Sequence, residues 1–168
     1  AQSNFRQKYS EYAIRLREKQ KLKRIFGLTE KQFRNNFIKA SKQDGVTGDN
    51  LISNLERRLD NVVYRLGMLS SRSEARQYVN HGHVLVNNKK VDIPSYIISL
   101  NDIVELKEKI KDNIRVKSSI ESVARRGVPD WLELNPEKIH GTIKRLPNRE
   151  DFKQPVDEQL IIEFYSKL

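Results

Sequence analysis

The sequence predicts an α+β fold in which helices come first and a small antiparallel sheet follows. Up to residue 81 the apolar residues recur at the 3.6-residue period of amphipathic helices. From Val84 onward, short apolar runs alternate with turn residues, which is typical of strands. The pair Asn87 and Asn88 tolerates the positive φ angles of a two-residue hairpin loop, so strands are expected at 84–86 and 89–91.

Two helices are predicted before the first glycine-containing linker. The helix at 10–27 has a broad apolar face formed by Tyr12, Leu16, Leu22 and Phe26. Lys19 interrupts this face, and Gly27 supplies the stop. A capping box at 29–32 opens the second helix, whose apolar stripe consists of Phe33, Phe37 and Ala40. Segment 43–50, which holds two glycines and two aspartates, is predicted to be a linker.

Two further short helices are predicted at 55–66 and 71–81, each followed by a glycine. Ser71 and Glu74 form a capping-box pattern at the start of the second one. Within that helix Ala75, Tyr78 and Val79 are expected to face inward. A hairpin follows directly, so the pair of helices and the hairpin form one compact motif.

Four arginines are expected on the outer sides of these helices. At about 100° per residue, Arg58 and Arg65 lie about 20° apart beside the apolar stripe. Their stems are therefore expected to pack against the protein while their guanidinium groups reach outward. Arg72 and Arg76 share an outward stripe near the start of the following helix.

The second half of the chain is predicted to be mixed. A Pro-led loop and then a β-rich run occupy 93–100, another strand covers 103–106, and residues 107–127 are charged and helical. Further short strands are expected in "DWLEL" and "HGTIKRLP". The C-terminal segment 157–168 fits an edge strand or a short helix, and helix is favoured.

The charge is unevenly distributed along the chain. The net charge is +10, with +7 in residues 1–50, +3 in residues 51–100 and zero in residues 101–168. This asymmetry indicates a polyanionic partner, either nucleic acid or an acidic membrane surface. No apolar run approaches the length of about 18 residues that a membrane span needs. The absence of cysteine excludes a thiolate zinc site and a cysteine nucleophile.

The cations predict a phosphate-binding surface, because arginine holds phosphate oxygens with a planar fork and a capped helix N-terminus adds backbone donors. The proposed contacts in the middle of the chain are Arg58, Arg65, Arg72, Arg76, Lys89 and Lys90. Those in the first two helices are Arg15, Lys19, Lys21, Lys23, Arg24 and Arg34. Tyr9 and Tyr96 are candidates for stacking or hydrogen bonding. For any single arginine a solvated helical face is the alternative, but the charge excess favours phosphate for the set.

His81 and His83 raise the alternative of a metal site, because they straddle Gly82 and both could face one side of a strand. The only other imidazole is His140, and no carboxylate has a spacing that indicates a further metal ligand. No metal is therefore expected. Hydrogen bonding of these histidines to an RNA backbone is favoured. The sequence contains no G-x-S-x-G, P-loop or paired-carboxylate motif, so neither an enzyme nor a cofactor is expected.

The stretch "SRSEARQYVNHGHVLVNNKKVDIPSY" resembles the αL RNA-binding module named after small-subunit ribosomal protein four. That module also occurs in pseudouridine synthases, bacterial tyrosyl-tRNA synthetases and a heat-shock RNA-binding protein. Three further stretches are similar to the ribosomal protein itself: "SEYAIRLREKQKLKRIFGLTEKQFRN" before the module, "LERRLDNVVYRLG" inside it, and "RLPNRED" with "EQLIIEFYSKL" at the end of the chain. The resemblance covers nearly the whole chain.

This resemblance implies a helical domain formed by 1–50 with 148–168, and an inserted α/β domain at 51–147 with the module at about 55–110. It implies a cytoplasmic, ribosome-bound, non-enzymatic protein that binds the five-prime domain of small-subunit ribosomal RNA, nucleates its assembly and influences translational accuracy. It also implies contacts with neighbouring ribosomal proteins, including small-subunit protein five, and in some members repression of the messenger that encodes the protein. No membrane and no DNA partner is implied.

The sequence departs from the family pattern in two respects. Members usually begin with a further basic, sometimes zinc-binding segment, which is missing here. Ser73 and Glu74 also stand where many relatives have a basic-polar pair, which weakens the expected phosphate grip at that helix start.

Two rival hypotheses stay open at this stage. Helices 55–66 and 71–81 also resemble a DNA-binding helix-turn-helix, although few base-reading side chains follow Arg76. The other rival is an RNA-modifying enzyme guided by the module, for which residues 101–168 are too short and lack catalytic motifs.

Overall fold

The computed structural model describes the backbone of residues 2–166 and the side chains of residues 10–166. The chain forms two compact units. The first runs to Ile52 and resumes at Phe152, and the second covers Ser53–Asp151. The α+β fold predicted from the sequence is confirmed, with a helical first unit and a five-stranded antiparallel sheet in the second.

The first unit is helical because each of its segments contains its own helix signals, namely apolar residues at helical spacing and capping residues at the ends. It contains α1 (Gln2–Phe26), α2 (Glu30–Lys42), the first part of α3 (Thr47–Glu56) and α8 (Glu158–Ser166). The predicted capping box opens α2: Thr29 Oγ1 accepts from the Gln32 amide at 3.2 Å, and Gln32 accepts from the Thr29 amide at 3.0 Å. The core of this unit includes Leu22, Phe26, Phe33, Ile161 and Phe164.

The predicted linker at 43–50 is wrong in its second half, because α3 begins at Thr47. The side-chain amide of Asn50 explains the compact turn. It donates to the carbonyls of Ala40, Gln43 and Asp44 at 3.3, 3.4 and 3.1 Å, so the end of α2 is tied to the start of α3. Residues with turn propensity therefore make a tight helix–helix connection here.

The second unit places short helices against a sheet. The helices are α4 (Leu59–Arg65), α5 (Arg72–Asn80), α6 (Glu108–Lys111) and α7 (Ile114–Arg126). The strands are β1 (Val84–Val86), β2 (Lys89–Lys90), β3 (Ile103–Leu106), β4 (Leu132–Asn135) and β5 (His140–Ile143). Their order in the sheet is β2-β1-β3-β5-β4, and all pairs are antiparallel.

Several sequence predictions for this unit and for the C-terminus are confirmed. Asn87 and Asn88 form the hairpin loop with φ angles of 51° and 67°, as a two-residue turn requires. The strand at 103–106, the helical region after it and the strands in "DWLEL" and "HGTIKRLP" are all present. The C-terminal segment is a helix.

Two predictions for the second unit are wrong, and they share one cause. The helix expected at 55–66 is interrupted between α3 and α4, and the β-rich run at 93–100 forms one isolated bridge, Arg58 to Ile97, in place of a strand. The Leu59 amide donates to the Tyr96 carbonyl at 2.8 Å, and the Ile98 amide donates to the Arg57 carbonyl at 3.0 Å. These distant backbone partners replace the helical hydrogen bonds that the apolar period predicted.

The core of the second unit lies between the helices and one face of the sheet. Residues alternate between buried and partly exposed along β1, β3 and β5, as in a sheet covered on one side. Gly141 in β5 permits a close approach, because a Cβ there would lie 2.3 Å from Leu66 Cδ2. Leu66, the C-cap of α4, therefore packs directly against the sheet.

Candidate nucleic-acid interface

Glu56, the last residue of α3, is buried and holds Arg65. Arg65 Nη2 donates to Glu56 Oε1 at 2.7 Å, and its Nε donates to Oε2 at 3.2 Å. The side-chain amide of Asn61 donates to the same Oε2 at 2.8 Å and to the Glu56 carbonyl at 2.7 Å. A two-point contact between a carboxylate and a guanidinium fixes the plane of the guanidinium, so Arg65 is oriented from below.

Asp60 holds two further arginines. Arg58 Nε and Nη2 donate to its two carboxylate oxygens, each at 3.3 Å, and Arg76 Nε donates to Oδ2 at 3.3 Å. The backbone amide of Asn61 adds a hydrogen bond to Oδ1 at 2.8 Å. The side chains of Arg58 and Asp60 are each 3% exposed, whereas that of Arg76 is 30% exposed. Asp60 therefore joins an internal arginine to a surface arginine.

The expectation that Arg58 reaches outward is wrong. Arg58 is the N-cap of α4, with extended backbone angles of φ −62° and ψ 138°, so the helical angle that placed it beside Arg65 does not apply. Its guanidinium is buried with its counter-ion Asp60. Such a pair needs several good hydrogen bonds to offset the cost of desolvation, and the two contacts with Asp60 supply them.

Arg72 is held through Asn61. Its Nε donates to Asn61 Oδ1 at 2.9 Å, and its guanidinium carbon lies 4.5 Å from the centre of the Tyr64 ring. The guanidinium carbon of Arg65 lies 5.9 Å from the same ring. Burial, followed by the nearby charge of Arg65, lowers the pKa of Arg72. The guanidinium still keeps its charge, because its ordinary pKa is so high.

We name Arg58, Arg65, Arg72 and Arg76 the arginine cluster. Three of its members, all except Arg58, are partly exposed, and carboxylates or an amide hold each of them in a defined orientation. Four guanidinium groups over two carboxylates carry a net charge of +2. The cluster is thus a preformed set of anion donors on a rigid support, as phosphate recognition requires.

At the start of α5 the predicted capping box is only half formed. Ser71 Oγ accepts from the Glu74 amide at 3.1 Å, as predicted. The Glu74 carboxylate accepts from the Ser70 hydroxyl at 2.7 Å, in place of the N-cap amide. Glu74 therefore adds a negative charge beside the start of α5, in keeping with the weaker phosphate grip expected there.

The hairpin presents two exposed lysines, Lys89 and Lys90, as the sequence predicted. The hairpin loop is fixed by Asn87, whose side-chain Nδ2 donates to Asp102 Oδ1 and whose side-chain Oδ1 accepts from the Ile103 backbone amide, each at 2.9 Å. Tyr96 is 36% exposed, and its backbone carbonyl caps α4. Lys89, Lys90 and Tyr96 can contact a ligand without first breaking an ion pair that the structure shows.

The two histidines lie side by side. The ring centres of His81 and His83 are 6.0 Å apart, and His83 also meets Tyr78 edge-on at 5.5 Å. Burial, then the charges of His81, Lys107 and Lys109, lowers the pKa of His83. Within the part of the chain that the structure describes, no three or more His, Cys, Asp or Glu side chains are arranged to hold a metal ion.

The predicted cations of the first unit differ in exposure. The prediction that Lys19 is a surface contact is wrong. Its side chain is 3% exposed and forms an ion pair with Glu30, and its Nζ lies 5.0 Å from the centre of the Phe164 ring. Arg15 pairs with Glu163 at 3.1 Å, and Lys23 pairs with Glu30 at 3.2 Å. Lys21 is exposed and donates to the Pro155 carbonyl. Arg24 and Arg34 are exposed, and the side chain of Tyr9 lies outside the described residues.

The sequence prediction missed Glu56, Asp60 and Asn61, which organise the arginine cluster. Their signal is present in "LERRLDN", where one acid precedes and one acid follows a pair of arginines. Its apolar spacing predicts one continuous helix, whereas the break between α3 and α4 brings these side chains together beneath the arginines. Among residues 2–166 the structure shows no helix long and apolar enough to cross a membrane.

The structure combines a helical unit with an antiparallel sheet and with a pair of arginine-bearing helices that precede a hairpin. These features together define a protein that carries an S4 domain. Residues 57–104 match the family model of that name, and residues 1–56 match the model described as ribosomal protein S4/S9 N-terminal domain.

Curated relatives extend the similarity to nearly the whole chain. The chain is 56% identical over 162 residues to small ribosomal subunit protein uS4 of Pelobacter propionicus, covering 96% of this chain and 78% of that relative. The protein of the same name from Syntrophus aciditrophicus is 52% identical, with the same coverage. The chain belongs to the small ribosomal subunit protein uS4 family.

Proposed function

We propose that this protein is a structural component of the small ribosomal subunit that binds small-subunit ribosomal RNA. The observation that carries the proposal is the arginine cluster, in which Arg65, Arg72 and Arg76 are partly exposed and held from below by Glu56, Asn61 and Asp60. Family membership supplies the ribosomal context. The protein acts by binding and orienting RNA, without a catalytic step and without a cofactor.

Phosphate groups are the ligand that this geometry suits. Each guanidinium presents a planar fork of donors, and Lys89 and Lys90 on the hairpin that follows α5 add exposed charges. In A-form RNA the major groove is too narrow for side chains, so recognition rests on the backbone, the 2′-hydroxyls and the shape of the fold. His81 and Tyr96, both exposed, are placed to add hydrogen bonds or stacking.

Within the subunit we propose that the RNA target is the five-prime domain, whose assembly the protein nucleates. Contacts with neighbouring ribosomal proteins, small-subunit protein five among them, would connect it to translational accuracy. Binding to its own messenger would use the same RNA-binding surface. The protein would therefore reside in the cytoplasm, on the ribosome.

We also propose that the two compact units act as the two domains of the protein. One is the helical domain at 1–50 with 148–168, and the other is the inserted domain at 51–147 with its RNA-binding module at about 55–110. The division of the described chain near Ile52 and Phe152 supports this organisation. Positive charge in both halves of the first hundred residues supports RNA contacts by both domains.

Binding to a five-prime-domain RNA fragment, compared with duplex DNA and an unrelated structured RNA across a salt series, tests the proposal. With roughly 6–10 phosphate contacts, affinity should fall by about 10³–10⁵ between 50 and 200 mM salt. A preference for the ribosomal fragment that persists at the higher salt is expected. Equal binding to all three would contradict the proposal, and tightest binding to duplex DNA would favour a helix-turn-helix protein.

Modified nucleosides in the RNA after incubation would contradict the non-enzymatic part of the proposal.

A further inference from the structure

Two buried acids lie beneath a surface whose proposed partner is a polyanion. Glu56 and Asp60 are 1% and 2% exposed, and the hydrogen bonds that the structure shows for their carboxylates come from Asn61 or from members of the arginine cluster. Considered only as charges, both acids repel RNA and weaken its binding. Their position therefore points to a role that offsets this repulsion.

The hydrogen bonds form a relay from Glu56 to two surface arginines. Glu56 holds Arg65 directly, through both carboxylate oxygens. It also accepts from the Asn61 amide nitrogen, which leaves Asn61 Oδ1 turned toward Arg72 Nε at 2.9 Å. Arg65 and Arg72 share one aromatic neighbour, Tyr64, although their like charges repel. Glu56 is the first of the groups whose charge offsets this repulsion at Arg72, followed by Tyr64 and Asp60.

We propose that Glu56 and Asp60 are positioning residues, which hold Arg65, Arg72 and Arg76 in the arrangement that receives RNA phosphates. Fixing these long side chains before binding removes much of the entropy cost that each would otherwise meet on the RNA. The inference rests on the proposed function, because it assumes that RNA phosphates are the ligand.

The positioning role and a purely electrostatic surface predict effects of opposite sign. Glu56→Gln removes a negative charge and raises the net charge by one, so a surface that acts only through its field should bind RNA more tightly. Asp92 is an exposed acid in the same unit, and the structure shows no ion pair for it. Asp92→Asn makes the same change of net charge at an acid that holds no member of the arginine cluster in the structure, and it serves as the matched control.

The experiment measures binding of the five-prime-domain RNA fragment by the full chain across a salt series. Circular dichroism first confirms that each variant is folded at the assay temperature. Glu56→Gln should weaken binding about tenfold, because a charge-assisted contact loses its geometry. The slope of log affinity against log salt concentration should become less steep by about 0.7–0.9, the value of one phosphate contact. Asp92→Asn should bind as tightly as the unmodified chain, or up to about threefold tighter.

Glu56→Asp provides a second variant, which keeps the buried charge and the net charge but shortens the side chain by one methylene. It should also weaken binding, and it decides the question if Glu56→Gln does not fold. Binding by a folded Glu56 variant that is as tight as that of the unmodified chain would overturn the positioning role. Loss of stability alone, with affinity and salt slope unchanged, would have the same meaning.

The two proposals fail in different ways. If the unmodified chain shows no preference for the ribosomal fragment, the proposed function fails, and the positioning role fails with it. If that preference is present and Glu56→Gln binds like Asp92→Asn, only the positioning role is overturned.

Discussion

Two cations on the same helix should differ in what they contribute, although each carries one positive charge. Lys19 is 3% exposed, pairs with Glu30 and lies over the Phe164 ring, whereas Arg24 is exposed one and a half turns further along α1. We predict that Lys19→Met changes stability and leaves the salt dependence of RNA binding as it was. Arg24→Met should do the reverse.

The magnitudes follow from the surroundings of each side chain. Glu30 is 53% exposed and keeps Lys23 at 3.2 Å, so Lys19→Met does not leave a buried charge without a partner. The loss is confined to one ion pair and one cation–π contact, about 1–2 kcal/mol, offset in part by burial of the methionine. Arg24→Met should change the free energy of unfolding by less than about 0.5 kcal/mol. It should lower the salt slope by about 0.7–0.9 if Arg24 meets one phosphate.

Urea unfolding and RNA binding across a salt series, measured on both variants, give the two quantities independently. The reasoning is refuted if Lys19→Met lowers the salt slope as much as Arg24→Met does. That result would mean that the Lys19 ammonium leaves its buried position to contact the RNA.

Three further predictions concern the hairpin loop and the histidine that precedes the hairpin. Asn88, at φ 67° and exposed, makes no side-chain contact that the structure shows, so Asn88→Gly should stabilise the protein by about 0.5 kcal/mol. Asn87→Gly is the contrasting change: it should cost about 1–3 kcal/mol in thermal unfolding, because Asp102 and the Ile103 amide lose their partner. Because the folded state lowers the pKa of His83, the unfolded chain binds its proton more readily. The free energy of unfolding should therefore fall as pH drops through about 6.5, the pKa expected of His83 in the unfolded chain. His83→Gln should flatten that step. A folded-state pKa of His83 at or above 6.5, measured by NMR titration, would contradict this prediction.

Those parts of the fold whose signals are local could be predicted from the sequence. The α2 cap depends on Thr29 and Gln32, three residues apart, and the hairpin depends on Asn87 and Asn88. The break between α3 and α4 could not be predicted in this way. Segment 94–98 makes it by donating to and accepting from the backbone about forty residues earlier, and no periodicity within 55–66 records that partner.

The candidate site was predicted as a set of cations, and its organisation was not. Composition indicates how many lysines and arginines a segment has, but exposure depends on partners elsewhere in the fold. Lys19 is buried because α8 supplies Phe164 and α2 supplies Glu30. Arg58 is buried because the helix break turns it toward Asp60. In both cases a charge that the sequence assigned to the ligand belongs to the protein's own interior.

The cations divide into those that have an internal partner and those for which the structure shows none, and the two groups have different physical roles. Arg24, Arg34, Lys89 and Lys90 are exposed, and the structure shows no ion pair for them, so they contribute a long-range field that salt screens and that any polyanion feels. In the arginine cluster, buried acids offset part of the field of Arg65 and Arg76, and hydrogen bonds fix the directions of Arg65, Arg72 and Arg76. A donor with a fixed direction favours one arrangement of phosphates over others. Selection among folded RNAs should therefore reside in the cluster, although the exposed lysines and arginines supply more of the attraction.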